Sequence, residues 1–153
     1  MRILVLSDNH HKKLDFNFNN YDYVIHCGDY GNSLEDLRNN NIYFVKGNCD
    51  FYGNNDNTFY IDNKKIYITH GNLYNVKYHY NNLIYRALEV EADICFFGHT
   101  HRQDLFIDNK ILFINPGSYM DGCHIEINDD YILLYKNNEL VKKTKYKWWY
   151  KWS

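Results

Sequence analysis

The sequence predicts an α/β protein in which helices lie outside layered sheets, and two observations carry this prediction. Apolar runs typical of buried strands occupy Ile3–Leu6, Tyr23–His26 and residues 42–45, and a short helical stretch separates the second run from the third. Strand, helix and strand in close succession indicate a right-handed crossover and a partly parallel sheet. After residue 117 the pattern changes to successive strands with Asx-rich turns, which favours antiparallel pairing.

Local signals predict the remaining elements. Ser33 is the expected N-cap of the short helix, with Asp36 as its capping-box partner. The apolar spacing between about residues 76 and 92 predicts the longest helix. Asx and Lys residues between apolar runs predict two hairpins. One hairpin joins residues 59–61 to 66–68, and the other joins residues 106–107 to 111–114. Further strands are expected at residues 94–97, 123–127 and 131–135 and from residue 140 onward.

Length and composition limit the class of protein. The 153 residues fit one domain, 1–153, and the 45% hydrophobic content excludes wholesale disorder. A net charge of -2 gives no general attraction to DNA or to an anionic membrane. The short apolar start reaches Asp8 almost at once, which does not fit a signal peptide. The four scattered cysteines form no CxxC pair, so we expect buried free thiols in a cytoplasmic protein.

Polar residues that can bind metals cluster directly after apolar strands. Because ligands bind beyond the carboxyl ends of strands in α/β sheets, we expect these clusters to meet at one edge of the molecule. The clusters are Asp8-Asn9-His10, Gly28-Asp29, Gly47-Asn48-Cys49-Asp50, His70-Gly71 and Gly98-His99-Thr100-His101.

The residue types in these clusters suit divalent transition ions. Asp, His and Asn are hard or borderline ligands for Mn²⁺, Fe²⁺, Zn²⁺ or Ni²⁺. Two Asp, four His and one Asn could hold two ions about 3.5–4 Å apart with one shared carboxylate. Alternation along an extended segment would place Asp8 and His10 on one face, and likewise His99 and His101. Glycines before three of the ligands would permit sharp turns.

The five clusters, in this order, resemble the motifs of the calcineurin-like metallophosphoesterase superfamily. Cys49 within the third cluster and the sequence Asn115-Pro116-Gly117-Ser118 resemble more narrowly its small single-domain bacterial and archaeal phosphodiesterase branch. The resemblance runs from Ile3 to about Ser118. It implies a four-layer α/β/β/α sandwich with mixed sheets and helices outside, and the activity of a metal-dependent phosphodiesterase. A phosphomonoesterase would use the same site.

The resemblance also implies a ligand set for two divalent ions. Asp8, His10, Asp29 and His101 would hold the first ion, and Asp29, Asn48, His70 and His99 would hold the second. A hydroxide shared by the ions would attack phosphorus in line, while the ions and Asn48 neutralise the phosphate oxygens.

The expected catalytic residues are therefore Asp29, which bridges the ions, together with Asn48, His70 and His99. Mn²⁺ is the expected ion, with Ni²⁺, Fe²⁺, Zn²⁺ and Mg²⁺ as the other candidates. The expected substrate is a small phosphodiester, with nucleotide-like esters among the candidates.

Two positions depart from the family pattern. Cys49 stands where many members have a histidine that helps to protonate the leaving group, and a neutral thiol is a weaker substitute for imidazolium at pH 7. We therefore expect faster turnover of esters with acidic leaving groups. His11 stands where the family usually has glycine, so it either changes the turn or adds a titratable group at the mouth of the site.

Other polar residues allow a structural and a functional interpretation. His26 is either a structural histidine or a support for the ligands, whereas His79 and His124 are expected to be structural. Asp50 either orients a neighbouring group or caps a turn. Asn115 and Ser118 either line the pocket or belong to a turn. His11, Cys49 and Asp50 are the candidates for binding substrate or supporting the ligands.

The C-terminus from Lys142 onward mixes lysines with Tyr and Trp. Such a segment can bind single-stranded nucleic acid or a membrane surface. We favour an edge strand that packs its aromatic side chains on the body or on a second subunit, which makes a homo-oligomer a candidate. A binding function also stays open, because relatives of this fold act as protein-trafficking scaffolds after losing metal ligands. Here all seven ligand positions hold ligating residues.

Overall fold

The computed structural model describes residues 1–148, which form two mixed β-sheets and two α-helices. The strands are β1 (Ile3–Leu6), β2 (Tyr23–His26), β3 (Tyr43–Phe44), β4 (Asp56–Ile61), β5 (Lys64–Thr69), β6 (Ile94–Phe96), β7 (Gln103–Asp108), β8 (Ile111–Pro116), β9 (Cys123–Ile127), β10 (Tyr131–Lys136) and β11 (Glu139–Lys145). The helices are α1 (Leu34–Asn39) and α2 (Asn81–Glu89). Single 3₁₀ turns lie at Phe18–Asn20, Asn72–Tyr74 and Tyr119–Asp121.

The topology brings the carboxyl ends of several strands to one edge. The first sheet has the order β11-β10-β9-β1-β2-β3, and the second has the order β4-β5-β6-β8-β7. Strands β1, β2 and β3 pair in parallel, as do β5, β6 and β8. The β4–β5 and β7–β8 pairs are antiparallel hairpins, as predicted. Asn109 and Lys110, between β7 and β8, both have positive φ, which a type I′ turn requires.

Alternation along the strands builds four layers. In β1, Ile3 lies in the apolar core between the sheets, whereas Leu4 packs on the outer face in one cluster with Leu37 of α1. In β5, Ile66 lies in the core between the sheets and Tyr67 packs in the outer cluster that includes α2. Each sheet is therefore covered by the other sheet on one face and by a helix on the other. This arrangement confirms the α/β/β/α sandwich.

Two predictions about the helices were partly wrong. Helix α2 begins at Asn81 rather than near residue 76, because residues 71–80 form a loop in which Asn75 has a left-handed backbone with φ 55°. Ser33 precedes α1, but its side chain does not cap the helix. The Ser33 hydroxyl instead accepts a hydrogen bond from Asn9 Nδ2 at 2.9 Å, so the capping box with Asp36 does not form.

The described part of the C-terminus packs on the body. Strand β11 is the edge of the first sheet, and Tyr146 and Trp148 beyond it are buried in the core between the sheets. The Tyr146 N–H donates to the Asp130 carbonyl at 2.7 Å, and the Trp148 N–H donates to the Asp129 carbonyl at 3.2 Å. The favoured packing on the body is therefore confirmed for these two residues. Residues 149–153, which complete the aromatic and basic segment, lie outside the described residues.

The cysteines follow the sequence expectation closely. Cys27, Cys95 and Cys123 are buried free thiols, whereas Cys49 is exposed. No helix within residues 1–148 is both long and apolar enough to cross a membrane.

We predict that Trp148→Ala destabilises the fold by about 3 kcal/mol, because it removes a large buried side chain from the core. Urea unfolding followed by circular dichroism measures the change in the free energy of unfolding. Lys142→Ala, at an exposed position on β11, is the control and should change stability by less than about 0.5 kcal/mol. Equal stability of Trp148→Ala and the control would contradict the assigned packing of the C-terminus.

Candidate metal centre

Five loops at the carboxyl ends of β1, β2, β3, β5 and β6 meet at one edge and bring the predicted ligands together. Atoms of Asp8, His10 and His101 that could bind a metal lie within 4.8 Å of one another. His101 Nε2 is 3.3 Å from Asp8 Oδ1 and 3.5 Å from His10 Nε2. This first group corresponds to three of the four ligands expected for one ion.

The second group lies beside the first. Asp29, His70 and His99 also place potential ligand atoms within 4.8 Å of one another. His70 Nε2 is 3.2 Å from Asp29 Oδ2 and 3.2 Å from His99 Nδ1. Asn48 Oδ1 lies 3.0 Å from the same His70 nitrogen. All four residues expected around the other ion are therefore together.

Asp29 lies between the two groups. Its Oδ2 is 3.2 Å from His70 Nε2 in the second group and 4.0 Å from His10 Nε2 in the first. Its Oδ1 accepts a hydrogen bond from the Cys49 N–H at 2.9 Å, which fixes the orientation of the carboxylate. A carboxylate in this position can be shared by two cations.

The donor set fits divalent metal ions. Asp8 Oδ1 is buried and has no hydrogen-bond partner, although two imidazole nitrogens face it: His101 Nε2 at 3.3 Å and His70 Nε2 at 3.8 Å. His70 Nδ1 lies 2.7 Å from the Cys27 carbonyl, which can only accept, so Nδ1 carries a proton and Nε2 is free to bind a cation. Facing nitrogens and a buried, unsatisfied carboxylate oxygen are the arrangement that a cation stabilises.

The carboxylates of the site are ionised. Burial alone would raise the pKa of Asp29, but the hydrogen bond and charge of His70 outweigh burial and lower it to about 2. Burial would likewise raise the pKa of Asp8, and its contacts with His101 and His70 lower it. Burial would lower the pKa of His70, but the two carboxylates raise it. Protons and metal ions therefore compete for the same atoms of this site.

The backbone conformation of the ligands differs from the expectation. Asp8 and His10 were expected to share one face of an extended segment, and so were His99 and His101. All four have positive φ, between 48° and 71°, and Asp29 has φ 58°. The extended interpretation was therefore wrong, and the side chains converge because the loops turn through left-handed conformations. Such conformations in residues other than glycine are concentrated at functional sites.

Two glycines allow the loops to approach one another. A Cβ at Gly47 would lie 2.1 Å from Asp29 Oδ1, and a Cβ at Gly98 would lie 2.1 Å from Ser7 Oγ and 2.7 Å from Asp8 Oδ2. Side chains at these positions would displace the two carboxylates. The glycines before Asn48 and His99 therefore make room for neighbouring ligands.

Asp50 orients the loops that carry Asp29 and Asn48. Its Oδ2 accepts hydrogen bonds from the N–H groups of Asp29 and Gly47, both at 2.7 Å, and its Oδ1 accepts from the Tyr30 N–H at 3.2 Å. The structure thus supports the orienting interpretation of Asp50. A single half-buried carboxylate ties the end of β2 to the end of β3.

A buried polar network supports the β1 loop. His26 Nε2 is 2.7 Å from Asn9 Oδ1, and the Gly28 N–H donates to His26 Nδ1 at 3.0 Å. Burial lowers the pKa of His26 to about 4, so this histidine is neutral. His26 therefore supports the loops and stays apart from the metal-binding groups.

Asn115 and Ser118 hold the ligand loops instead of lining an open pocket. Asn115 Nδ2 donates to the Gly98 carbonyl at 3.2 Å and to Thr100 Oγ1 at 2.9 Å. Ser118 Oγ donates to the Asp8 carbonyl at 2.8 Å. Both side chains are fully buried. The sequence predicted that these two residues either line the pocket or belong to a turn, and neither prediction included support of the ligand loops.

Sequence reasoning missed Ser7 and Asn9 as supports. Ser7 Oγ donates to Asp8 Oδ2, and Asn9 bonds to His26 and to Ser33. The sequence did contain a signal for this role: both residues are polar and lie directly next to the proposed ligand Asp8, at the end of a buried strand.

The two positions that depart from the family pattern are both exposed. Cys49 Sγ forms a third potential ligand group with His10 and Asp29, within 4.8 Å. Burial and the nearby carboxylates of Asp29 and Asp50 raise the pKa of the Cys49 thiol, so it is protonated at neutral pH. His11 is exposed and is not part of the three groups found among residues 1–148.

Comparison with known proteins identifies the class to which this fold and site belong. The profile of the calcineurin-like phosphoesterase superfamily domain matches residues 1–136. The chain therefore belongs to the calcineurin-like phosphoesterase superfamily, and it is a metal-dependent phosphoesterase. Membership confirms the resemblance seen in the sequence and implies divalent metal ions at the site.

Individual relatives are small bacterial and archaeal proteins. YsnB of Bacillus subtilis, named "Probable metallophosphoesterase", is 34% identical over 126 residues, which are 77% of this chain and 75% of YsnB. A phosphodiesterase of Methanocaldococcus jannaschii is 28% identical over 157 aligned positions, covering 80% of this chain and 88% of the relative.

Solved structures share the fold. A predicted phosphoesterase of Streptococcus pneumoniae TIGR4 superposes with a TM-score of 0.78 at 30% identity, covering 95% of this chain and 97% of that one. Vacuolar Protein Sorting 29 of Cryptosporidium parvum superposes with a TM-score of 0.74 at 20% identity, with the same coverage of 95% and 97%. The second likeness concerns the fold alone.

We predict that Asp50→Asn weakens Mn²⁺ binding by about tenfold to a hundredfold, because the amide presents a donor to N–H groups that need an acceptor. Isothermal titration calorimetry on the protein freed of metal by chelation measures the affinity. Asp62→Asn, in the exposed β4–β5 turn, is the matched control and should bind Mn²⁺ like the wild type. Unchanged affinity of the folded Asp50→Asn variant would contradict the orienting role.

Proposed function

We propose that the protein hydrolyses phosphodiesters with two divalent ions, of which Mn²⁺ is the best candidate. The observation that carries the proposal is the position of Asp29 between two groups of ligands. Each group would hold one ion: Asp8, His10 and His101 with Asp29 in the first, and His70, His99 and Asn48 with Asp29 in the second. Three buried free thiols favour a reducing compartment and hence the cytoplasm.

The residues of the site prepare it for this chemistry. When bound, such ions would lower the pKa of a water molecule and would neutralise phosphate oxygens. The Cys27 carbonyl holds His70 in the tautomer that leaves Nε2 free. Burial lowers the pKa of His99, which keeps its imidazole neutral and able to bind a cation. Asn48 faces His70 with its amide oxygen at 3.0 Å, and its Nδ2 donates to Cys49 Sγ at 3.6 Å.

Diesters are favoured over monoesters on two grounds. The phosphodiesterase of M. jannaschii aligns with 80% of the chain. Cys49, near His10 and Asp29, provides a neutral thiol in place of a cation, whose charge would favour a dianionic monoester. A phosphomonoesterase on the same site is the second candidate.

A protein-binding scaffold is a different class of function with the same fold. The likeness to Vacuolar Protein Sorting 29 gives this possibility its support. The complete ligand set and the unsatisfied buried oxygen of Asp8 favour the enzyme, because a scaffold has no use for a costly buried cluster of polar groups.

We predict that the metal-loaded protein hydrolyses bis(p-nitrophenyl) phosphate and that Asp29→Ala lowers kcat/KM by about a thousandfold or more, because both ions lose a ligand. Release of p-nitrophenol is followed with Mn²⁺, after chelation and after adding Mn²⁺ back. Asp62→Asn is the control with full activity. Hydrolysis that persists without metal, or no hydrolysis by the loaded wild type, would favour the scaffold.

We predict that kcat falls steeply as the leaving group becomes less acidic, because the protonated Cys49 is a weak acid catalyst. Cys49→His should raise kcat for alkyl aryl esters with poor leaving groups by about tenfold or more and should change kcat for p-nitrophenyl esters little. Cys49→Ser is the control and should keep the steep dependence. Rates that are the same across leaving groups, while chemistry limits turnover, would contradict this role of Cys49.

A further inference from the structure

Cys49 is the one exposed cysteine among residues 1–148, and it lies beside two of the proposed metal ligands. Its Sγ, a ring nitrogen of His10 and a carboxylate oxygen of Asp29 lie within 4.8 Å of one another. The other three cysteines are buried and belong to none of the candidate metal-binding groups of the described residues. The cluster of His10, Asp29 and Cys49 is therefore a candidate metal site that includes a sulfur atom.

Backbone contacts hold Cys49 in this position. The Cys49 N–H donates to Asp29 Oδ1 at 2.9 Å, so the cysteine is joined directly to the carboxylate. The next N–H, that of Asp50, closes a turn on the Gly47 carbonyl at 3.2 Å. The Asp50 carboxylate in turn accepts the N–H groups of Gly47 and Asp29, both at 2.7 Å. The backbone around Cys49 is therefore fixed relative to Asp29, and an ion that binds both side chains orders little of the chain.

The distances within the cluster suit a single ion. Two ligands of one Zn²⁺ ion lie at most about 4.4 Å apart, because a zinc–sulfur bond is about 2.3 Å long and a zinc–nitrogen bond about 2.1 Å long. His10 Nε2 and Asp29 Oδ2 are 4.0 Å apart. The exposed Cys49 side chain is free to turn about its Cα–Cβ bond. Asn48 Nδ2 donates to the Cys49 sulfur at 3.6 Å, which favours the thiolate form that a metal binds.

An independent observation places a cation on this side of the site. His10 also belongs to the group formed with Asp8 and His101. Asp8 Oδ1 is buried and finds no hydrogen-bond partner within residues 1–148, although His101 Nε2 lies 3.3 Å away. Because His10 is common to both groups, an ion that it binds lies next to the unsatisfied oxygen and next to the Cys49 sulfur.

We propose that Cys49 is a ligand for thiophilic ions such as Zn²⁺ and Co²⁺, which it binds together with His10 and Asp29, and that it stays unbound when Mn²⁺ occupies the site. The inference rests on the proposed function, in which His10 and Asp29 hold the first ion. Thiolates select softer ions, whereas Mn²⁺ prefers carboxylate, carbonyl and water oxygens. Ligation breaks the S–H bond, forms a sulfur–metal bond and passes the proton to solvent, with no transfer of electrons. Thiophilic ions therefore remove the thiol to which the proposed function assigns protonation of the leaving group.

The first test uses Co²⁺, because a thiolate bound to Co²⁺ absorbs in the near ultraviolet by charge transfer from sulfur to the metal. We expect this band in the wild type and its loss in Cys49→Ser. Cys95→Ala is the matched control, since it removes a buried thiol from the outer apolar cluster, and it should keep the band. His10→Gln keeps the Cys49 thiol but removes the neighbouring imidazole, so it should weaken Co²⁺ binding about tenfold or more and diminish the band.

The second test compares two ions by calorimetry on the protein freed of metal by chelation. Cys49→Ser should weaken Zn²⁺ binding about tenfold or more, because the ion loses a sulfur ligand. The same variant should change Mn²⁺ affinity less than about threefold. Cys95→Ala should bind both ions like the wild type, and circular dichroism should show that each variant is folded.

The outcomes separate this inference from the proposed function. Hydrolysis of bis(p-nitrophenyl) phosphate by the Mn²⁺-loaded wild type, without a Co²⁺–thiolate band, overturns the inference and leaves the function standing. A band that depends on both Cys49 and His10, without hydrolysis, supports the inference and overturns the function. A band that persists in Cys49→Ser, that disappears in Cys95→Ala or that is unchanged in His10→Gln overturns the inference, because the sulfur ligand then lies outside this cluster. Equal losses of Zn²⁺ and Mn²⁺ affinity in Cys49→Ser overturn it as well.

Discussion

The metal centre depends on a single carboxylate, Asp29, which lies between the two groups of ligand residues, and on the groups that hold it in place. One oxygen faces both clusters of imidazoles, and the other accepts the Cys49 N–H. The Asp29 N–H is itself held by Asp50. Every one of these contacts crosses from one loop to another, so the carboxylate is positioned only when β2 and β3 lie side by side. The parallel pairing of these strands is thus a condition for the chemistry as well as for the fold.

Holding these groups together without a cation is unfavourable. Asp8, Asp29 and His70 are almost completely buried, and one oxygen of Asp8 has no hydrogen-bond partner. Left-handed backbone conformations at Asp8 and Asp29 add a further cost of order 1–3 kcal/mol each. The surrounding apolar layers must offset these costs, since burial of a single large aliphatic side chain contributes about 1.5–3 kcal/mol. The core between two fully covered sheets is large enough to do so.

Much of the fold could be predicted because it follows from local patterns. Runs such as Ile3–Leu6 are apolar at every position, which is typical of strands covered on both faces, and the hairpin turns carry Asx residues. The start of α2 could not be predicted, because the apolar Val76 that suggested a helix packs instead against Gly71. Ser33 has the right identity for a cap, but a contact with Asn9, distant in sequence, takes its hydroxyl. Both errors arise where tertiary contacts outweigh local preference.

The distinction between local sequence patterns and tertiary contacts also applies to the metal centre. Residue types and their position after strands predicted which side chains would meet, because parallel strands share an edge. The left-handed turns of Asp8 and His10 could not be predicted, since an extended segment explains their spacing equally well. Supports such as Asn115 and Ser118 were ambiguous, because their partners are the backbone carbonyls of distant loops. Ligand identity is thus encoded locally, whereas ligand orientation depends on these non-local contacts.

The free-energy cost of burying these polar side chains also helps to distinguish an enzyme from a protein-binding scaffold. A cation that binds the folded protein and not the unfolded chain stabilises it by mass action, so it would offset the penalty of burying Asp8 and Asp29. A surface used only to bind another protein gains nothing from facing imidazole nitrogens or from an unsatisfied carboxylate oxygen, and apolar replacements would fold more easily. The chain keeps glycines at the two positions where a Cβ would displace these carboxylates. The geometry is therefore that of a site built to bind cations.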